Sequence, residues 1–297
     1  MLKSPFFSVI IPTCNRPQTL AKCLRKLESQ RPRGNFEFEI LVSDDSSDMQ
    51  TQDLLAQHHP EVILVQGPRK GPAANRNQAA RKARGTWLIF IDDDTEPEPD
   101  FLESYHTMAR TSASRVLEGR IVCPDKCNSP FFRMPENLQG DLFTSGNIAF
   151  EKEIFERLGG FDEDLVVMED LEIGHRIRTQ NIPHNFCAGA SVRHRAQRLG
   201  FSYLLWWAFH HRWSILFDYK VGAKSVETPL PTATFHSVAK HILLLARTTW
   251  HLFTQHDATT WKNRWFWQIW GWLSLPMTVP CLCLSEVRFR KQIIKNS

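Results

Sequence analysis

Almost no net charge remains when the ionised side chains are summed. Thirty-six lysines and arginines stand against 32 aspartates and glutamates, a formal excess of +4. So small a surplus gives no case for a nucleic-acid partner. No basic segment followed by an apolar one opens the chain, so no secretory signal is expected. A GxxxxGK(S/T) phosphate loop is missing, which argues against P-loop chemistry. The seven cysteines are scattered, and Cys123 and Cys127 have no second pair at zinc-site spacing. They read as reduced, buried, cytosolic thiols rather than as disulfides or a structural metal site. There is no internal repeat and no low-complexity tract.

What is present is an alternation. Phe6–Thr13, Glu39–Ser43, Val62–Gln66 and Trp87–Ile91 are short apolar runs rich in β-formers. Between them Leu20, Cys23, Leu24 and Leu27 follow helical spacing, Asp48–His58 reads as helix, and Ala73–Arg84 is alanine-rich with Gly85 placed as its C-cap. Strands alternating with helices predict an α/β fold with a Rossmann-like, mostly parallel sheet flanked by helices. Continuous rather than alternating apolarity predicts strands buried on both faces. Further on, Val116–Val122 reads as a strand and Cys123–Gly140 as a long loop. Asp141–Phe150 reads as β structure around a Ser-Gly-Asn turn, and Glu151–Leu158 and Glu169–Gln180 as helices.

Each of the first four strands ends in a polar cluster: Thr13, Asn15 and Arg16; Asp44 and Asp45; Gly67 to Lys70; Asp92, Asp93 and Asp94. The carboxyl edge of an open α/β sheet is where ligands bind. Adjacent carboxylates repel and suit a hard divalent cation, and a strand turning into a loop can aim Asp92 and Asp94 at one ion while Asp93 turns aside. A solvated acidic loop is the alternative. Arg76 offers a cation to a diphosphate, or is a surface helix arginine. Asp44 or Asp45 offers an acceptor to the N–H of a uracil-like base, or caps a turn. Glu169 and Asp170 are either a reactive acid pair or ordinary acid enrichment at a helix start. On its own, His194 reads as a hydrogen-bonded structural histidine, and beside the acidic motifs it reads equally as a metal ligand.

VIIPTCNRP, ILVSDDSSD, GPAANRNQAARKARG, WLIFIDDD and GGFDEDLVVMEDLEIGHRIR, in this order, resemble the family 2 inverting glycosyltransferases of the GT-A fold. The resemblance covers residues 6 to about 200. It implies transfer of a sugar from a nucleotide diphosphate, with UDP favoured, to a glycan or lipid-linked acceptor hydroxyl, aided by Mn²⁺ or Mg²⁺. It assigns Pro12, Thr13 and Arg16 to the nucleotide pocket, Asp44 or Asp45 to the base, and Arg76 to the diphosphate. Asp92 would reach the ribose or the metal shell, Asp94 would bind the metal, and His194 would add a ligand. Asp170, beside Glu169, would be the catalytic base. Two departures stand out: Ser46 follows the paired aspartates, and the acidic motif is Asp-Asp-Asp, which leaves Asp93 as a rival to Asp94.

The implied division is a catalytic domain over 1–200 and a helical, aromatic-rich extension over 201–297. Most of the ten tryptophans lie in that extension. Phe201–Phe217 and His236–Phe253 read as helices, and Trp265–Ser285 is uncharged and near bilayer length but broken by Pro276 and Pro280. A peripheral or re-entrant anchor on the cytoplasmic face of the membrane is expected, with a single span or a buried helical bundle as alternatives. Two other functions remain open: a non-catalytic membrane-associated scaffold, and a sugar nucleotidyltransferase. The latter needs a glycine-rich, lysine-bearing loop after the first strand, and PTCNRP is not one.

Overall fold

The computed structural model describes residues 4–30, 33–125, 132–133, 135–199, 212–224, 228, 230–254, 270 and 273–296. It divides into two compact units, Met1–Pro124 with Pro135–Arg195, and Asp125–Met134 with Ala196–Ser297.

The first unit alternates β1 (Phe7–Thr13), α1 (Pro17–Glu28), β2 (Phe38–Asp44), α2 (Gln50–His58), β3 (Ile63–Gln66), α3 (Pro72–Ala80) and β4 (Trp87–Ile91). It continues through β5 (Thr95–Pro97), α4 (Phe101–Thr111), β6 (Val116–Val122), β8 (Asn147–Glu151), α5 (Lys152–Arg157), α6 (Glu169–Thr179) and β9 (His184–His194). One eight-stranded sheet runs β3-β2-β1-β4-β8-β6-β9-β5. The strands from β3 to β4 are mutually parallel; β8 is antiparallel to both its neighbours. β6 and β9 are parallel, and β5 closes the edge antiparallel to β9.

The sheet is buried on both faces, as the unbroken apolar runs require. Along β1, Phe7, Val9 and Ile11 join a core with Leu20, Leu24 and Leu27 of α1 and with Phe101 and Tyr105 of α4. Ile10 points the other way, into a core with Ala73, Ala79, Phe155, Phe161 and Ile173. β4 splits in the same manner, Trp87, Ile89 and Ile91 to one core, Leu88 and Phe90 to the other.

The β6–β9 ladder carries an irregularity. Gly119 faces Cys187, but Arg120 faces Ser191, so residues 188–190 bulge out of β9. Buried Asn147 fastens the bulge, its Nδ2 donating to the carbonyls of Ala190 at 2.8 Å and Arg120 at 3.0 Å. Tyr105 donates to the Asn147 Oδ1 at 2.7 Å. The Asn147 amide fills the space a Cβ at residue 119 would need, which explains Gly119.

Three expectations need correction. The helix expected over 73–84 ends at Ala80, and Gly85 is not its C-cap. The stretch expected to be loop contains β7 (Phe132–Arg133) and a bridge between Ile121 and Asn137. And β5, α4 and β9 arise where no element was assigned. β9 reads poorly because HNFCAGASVRH mixes small and polar residues and the bulge breaks its alternation.

In the second unit β7 pairs with β10 (Gln197–Arg198). Among the described residues three helices follow: α7 (Arg212–Lys220), α8 (Leu230–Thr254) and α9 (Leu275–Asn296). Glu286 of α9, fully buried, accepts from Tyr219 at 2.5 Å, Ser237 at 2.7 Å and Lys224 at 2.8 Å, so its charge is compensated from three sides. The start of the helix expected over 201–217 and most of 255–272 lie outside the described residues. Among the described residues no helix is long and apolar enough to cross a membrane.

Gly85 is required by close approach. A Cβ there would stand 2.5 Å from the Ser8 backbone nitrogen and 2.7 Å from the Phe7 carbonyl carbon. Since β1 cannot yield without breaking its ladders to β2 and β4, Gly85→Ala is expected to lower stability by about 1–3 kcal/mol, read from the urea midpoint.

Candidate active site

Four strand ends meet at a cavity of ≈440 Å³ in the first unit, lined by Pro12, Thr13, Cys14, Arg16, Asp45, Arg69, Gly71, Pro72, Asn75, Arg76 and Asp92. The Thr13 carbonyl at the end of β1 accepts from the Asp45 N–H at 2.9 Å and from Asn75 Nδ2 at 3.3 Å. Asn75 also donates to the Ser43 carbonyl at 2.9 Å, so it ties both strand ends to the start of α3.

The paired aspartates after β2 divide their work. Asp44 is buried and turns back onto its own loop, accepting from the Ser46 N–H at 2.9 Å and from the Ser46 hydroxyl. Asp45 lines the cavity and accepts from the Arg69 N–H at 2.8 Å. Burial, with help from Asp44, raises the Asp45 carboxyl above the ordinary aspartate range against those N–H donors. Only glycine fits at residue 67, because a Cβ would overlap the Asp45 carboxylate and stand 2.5 Å from Asn75 Oδ1. α3 then starts from Gly71, at φ 99°, with Pro72 in its first turn, where a missing N–H leaves no bond unmade.

At the end of β4 the three aspartates diverge. Asp93 is fully buried, accepts from Thr13 Oγ1 at 2.6 Å, and lies 2.8 Å from an Arg16 guanidinium nitrogen, off the line of a hydrogen bond. Burial pushes it up to about 7, with Asp94 and Asp92 adding to the rise and Arg16 and Thr13 opposing it. Asp92 and Asp94 turn the other way. Their carboxylate oxygens and a ring nitrogen of His194 all lie within 4.8 Å of one another. β9 delivers His194 by pairing it with Thr95 of β5. Its Nδ1 faces the Arg195 carbonyl at 3.0 Å and its Nε2 faces Asp94 at 3.3 Å. Burial lowers the ring's affinity for a proton, but the Asp94 contact outweighs it and the His194 pKa is raised.

Beside Arg76, α6 presents Glu169 and Asp170 in its first turn. Met168, just before them, is left-handed at φ 70°, which turns the chain sharply onto the helix. Asp170 accepts from the Leu171 N–H at 2.8 Å, and burial raises both carboxyls above their ordinary ranges. Between the two acidic groups lies Arg76, 4% exposed. It donates to Asp92 at 2.7 Å and to Glu169 at 3.0 Å. Its Nε–H is buried without a hydrogen-bond partner.

A divalent cation fits this donor set. Two carboxylates and an imidazole converge, and at Gly146 a Cβ would stand 2.8 Å from Asp92 Oδ2, crowding it. Oxygen-rich ligation with one imidazole suits Mn²⁺ or Mg²⁺. Of the residues singled out in sequence, Pro12, Thr13, Arg16, Asp45, Arg76 and Asp92 line the cavity, and Asp94 with His194 and Glu169 with Asp170 adjoin it through Asp92 and Arg76, whereas Asp44 serves its turn and Asp93 is turned into the interior. Sequence reasoning did not single out Arg69, Asn75 or Gly146. Arg69 follows β3 in a noted polar cluster, and Asn75 precedes Arg76 by one residue. Gly146 leaves no signal but the Ser-Gly-Asn turn.

Removing Arg76 would leave buried Glu169 and half-buried Asp92 without their counter-charge. Arg76→Met is expected to lower stability by about 3–5 kcal/mol in urea unfolding. Without the cation, the folded-state pKa of Glu169 rises further above its unfolded value, so that loss should shrink as pH falls.

Known proteins resemble this chain in sequence and in fold. Residues 8–159 match the family described as Glycosyl transferase family 2. Over 210 residues the chain is 29% identical to the O-antigen biosynthesis protein RfbC of Myxococcus xanthus, covering 60% of this chain and 16% of that protein. Over 97 residues it is 33% identical to the GalNAc(5)-diNAcBac-PP-undecaprenol beta-1,3-glucosyltransferase of Campylobacter jejuni, covering 31% of this chain and 30% of that protein. Both matches span less than two thirds of the relative's own length. Among solved structures, the mannosyltransferase PcManGT of Pyrobaculum calidifontis, in complex with GDP-Man and Mn²⁺, superposes with a TM-score of 0.58 at 19% identity. That match covers 94% of this chain and 88% of the other, and it speaks to the fold alone, which is that of the GT-A glycosyltransferases. A family match over more than half the chain, on a fold of this kind, makes the protein a member of glycosyl transferase family 2.

Proposed function

We propose that the chain is an inverting glycosyltransferase that moves a sugar from a nucleotide diphosphate, UDP by preference, to a hydroxyl of a glycan or lipid-linked acceptor. The observation that carries this reading is the joining of two acidic groups, Asp92–Asp94–His194 and Glu169–Asp170, through Arg76, which lines the cavity together with Asp92. Inversion needs two such groups with separate tasks. The acceptor oxygen attacks the anomeric carbon as the bond to the diphosphate breaks, and the hydroxyl proton passes to Asp170. Its raised pKa makes Asp170 a stronger base than an ordinary aspartate. Arg76 holds Glu169 beside it and itself lines the cavity. Asp45 offers the acceptor that a uracil N–H seeks. A divalent cation held by Asp92, Asp94 and His194 would supply Lewis acidity toward the leaving diphosphate.

The relatives named for O-antigen biosynthesis and for an undecaprenol-linked substrate support a glycan or lipid-linked acceptor. We assign catalysis to residues 1–200 and a peripheral contact with the cytoplasmic face of the membrane to the aromatic-rich residues 201–297. Full recovery of the intact chain from a detergent-free soluble fraction would count against that contact.

Three measurements test the enzymatic reading. Thermal stabilisation by a panel of nucleotide sugars with Mn²⁺ should single out the donor, since a ligand binding only the native state raises the melting temperature. Release of free nucleoside diphosphate should stop on chelation and weaken in His194→Ala. Asp170→Asn should lower kcat/KM by about 10²–10⁴-fold. It should also abolish the ascending limb of the pH profile, which in the wild type lies above the ordinary aspartate range because deprotonated Asp170 is the active form. A wild-type rate in Asp170→Asn would remove it as the base.

A further inference from the structure

A second cavity, of ≈430 Å³, lies between α1 and β5, lined by Lys22, Arg25, Lys26, Ser29 and Glu96. The four α1 residues are spaced i, i+3, i+4 and i+7, so they share one face of the helix. The other face buries Leu20, Cys23, Leu24 and Leu27. Among the described residues none of the three cations has an ion-pair partner, whereas Glu96 has Arg195 at 3.7 Å. The partial negative charge at the C-terminus of α1 favours Arg25 and Lys26 in its last turn, but not Lys22, which lies earlier. Lys22 and Lys26, four apart, repel each other. An arrangement that leaves three like charges facing one groove is relieved by an anion.

The groove adjoins the candidate active site in sequence and in space. α1 begins one residue after Arg16, which pairs with Asp93 and Asp94, and Glu96 follows Asp94 by two residues. At 1.5 Å per residue, Lys22 and Lys26 lie about 9 and 15 Å from Arg16 along the helix. Lys22, Arg25 and Lys26 are exposed, and Glu96 in the same wall disfavours an extended anionic surface laid across all three. A compact anion fits better.

We infer that this groove binds a phosphate carried by the acceptor, at a distance from the hydroxyl that receives the sugar. The inference rests on the glycosyltransferase reading and narrows the acceptor to phosphate-bearing molecules. Its test is amide hydrogen exchange of the full chain with inorganic pyrophosphate, without metal or nucleotide. Slower exchange over Pro17–Glu28 and Thr95–Pro97 is expected. It should be lost in the combined Lys22→Gln, Arg25→Gln, Lys26→Gln variant and kept in Lys82→Gln, Arg110→Gln, Arg157→Gln, which removes the same charge elsewhere. Glu96→Gln, which takes the acid out of the wall, should enhance the effect, a gain that misfolding cannot mimic. Equal losses in both triple variants would reduce the effect to net charge and overturn the inference, and so would protection confined to the residues around Arg69–Arg76. Vesicles of phosphatidylcholine and phosphatidylglycerol provide a second arm. Loss of vesicle binding in the groove variant, with no response to pyrophosphate, would make the groove a membrane contact instead. Nucleoside diphosphate release by the wild type is read separately. Its absence alongside intact pyrophosphate binding would leave an anion site but overturn its assignment to an acceptor.

Discussion

A single buried guanidinium organises the site. Arg76 reaches from α3 to Asp92 at the end of β4 and to Glu169 at the start of α6, elements far apart in the sequence. A buried arginine is tolerated only where its charge is met, and two carboxylates meet this one. The same contact holds apart two acidic groups that would otherwise repel. Around it, Asn77 of α3 bonds both ways with the backbone of Phe161 and donates to Glu163, and Arg176 of α6 donates to the Leu158 and Gly160 carbonyls. The loop between α5 and α6 is thereby clamped from two helices, and the acidic pair that follows it inherits a fixed position.

The second organising fact is how unequally neighbouring acids are treated. Asp44 and Asp45 are adjacent, yet one closes a turn and the other faces the cavity. Asp92 and Asp94 point together while Asp93 is driven inward beneath Thr13 and Arg16. Alternation along an extended backbone suffices to produce this. The run of three acids therefore divides between a cation-facing pair and an inward member whose raised pKa eases the crowding of charge.

Much of this was legible in sequence. Unbroken apolar runs gave β1 to β4, and polar residues at each strand's end located the cavity, because burial and ligand access are imposed at opposite ends of the same strand. The separate assignments of Asp92, Asp94 and His194 fall on residues that the fold gathers together. What stayed hidden depends on distant pairings. Gly85 looked like a helix terminator and is a spacer against β1. That Asp45 rather than Asp44 faces the cavity depends on where the Ser46 side chain points. Arg76 looked like a donor to a diphosphate, and nothing local in its sequence reveals the two carboxylates that hold it. β9 was missed because its irregular interior obscures the pattern of a strand.

That irregular interior has a consequence for how this chain can vary in length. The bulge at residues 188–190 takes up three residues within the ladder to β6, between the Gly119–Cys187 and Arg120–Ser191 rungs, just ahead of the rungs that pair Val192–His194 with β5. At about 3.3 Å per residue, that slack amounts to some 10 Å of reach. The segment works as a shim: trimming it would pull the imidazole away from Asp94 without altering a ligand, so insertions and deletions here should be far less neutral than its exposed, small-residue composition suggests.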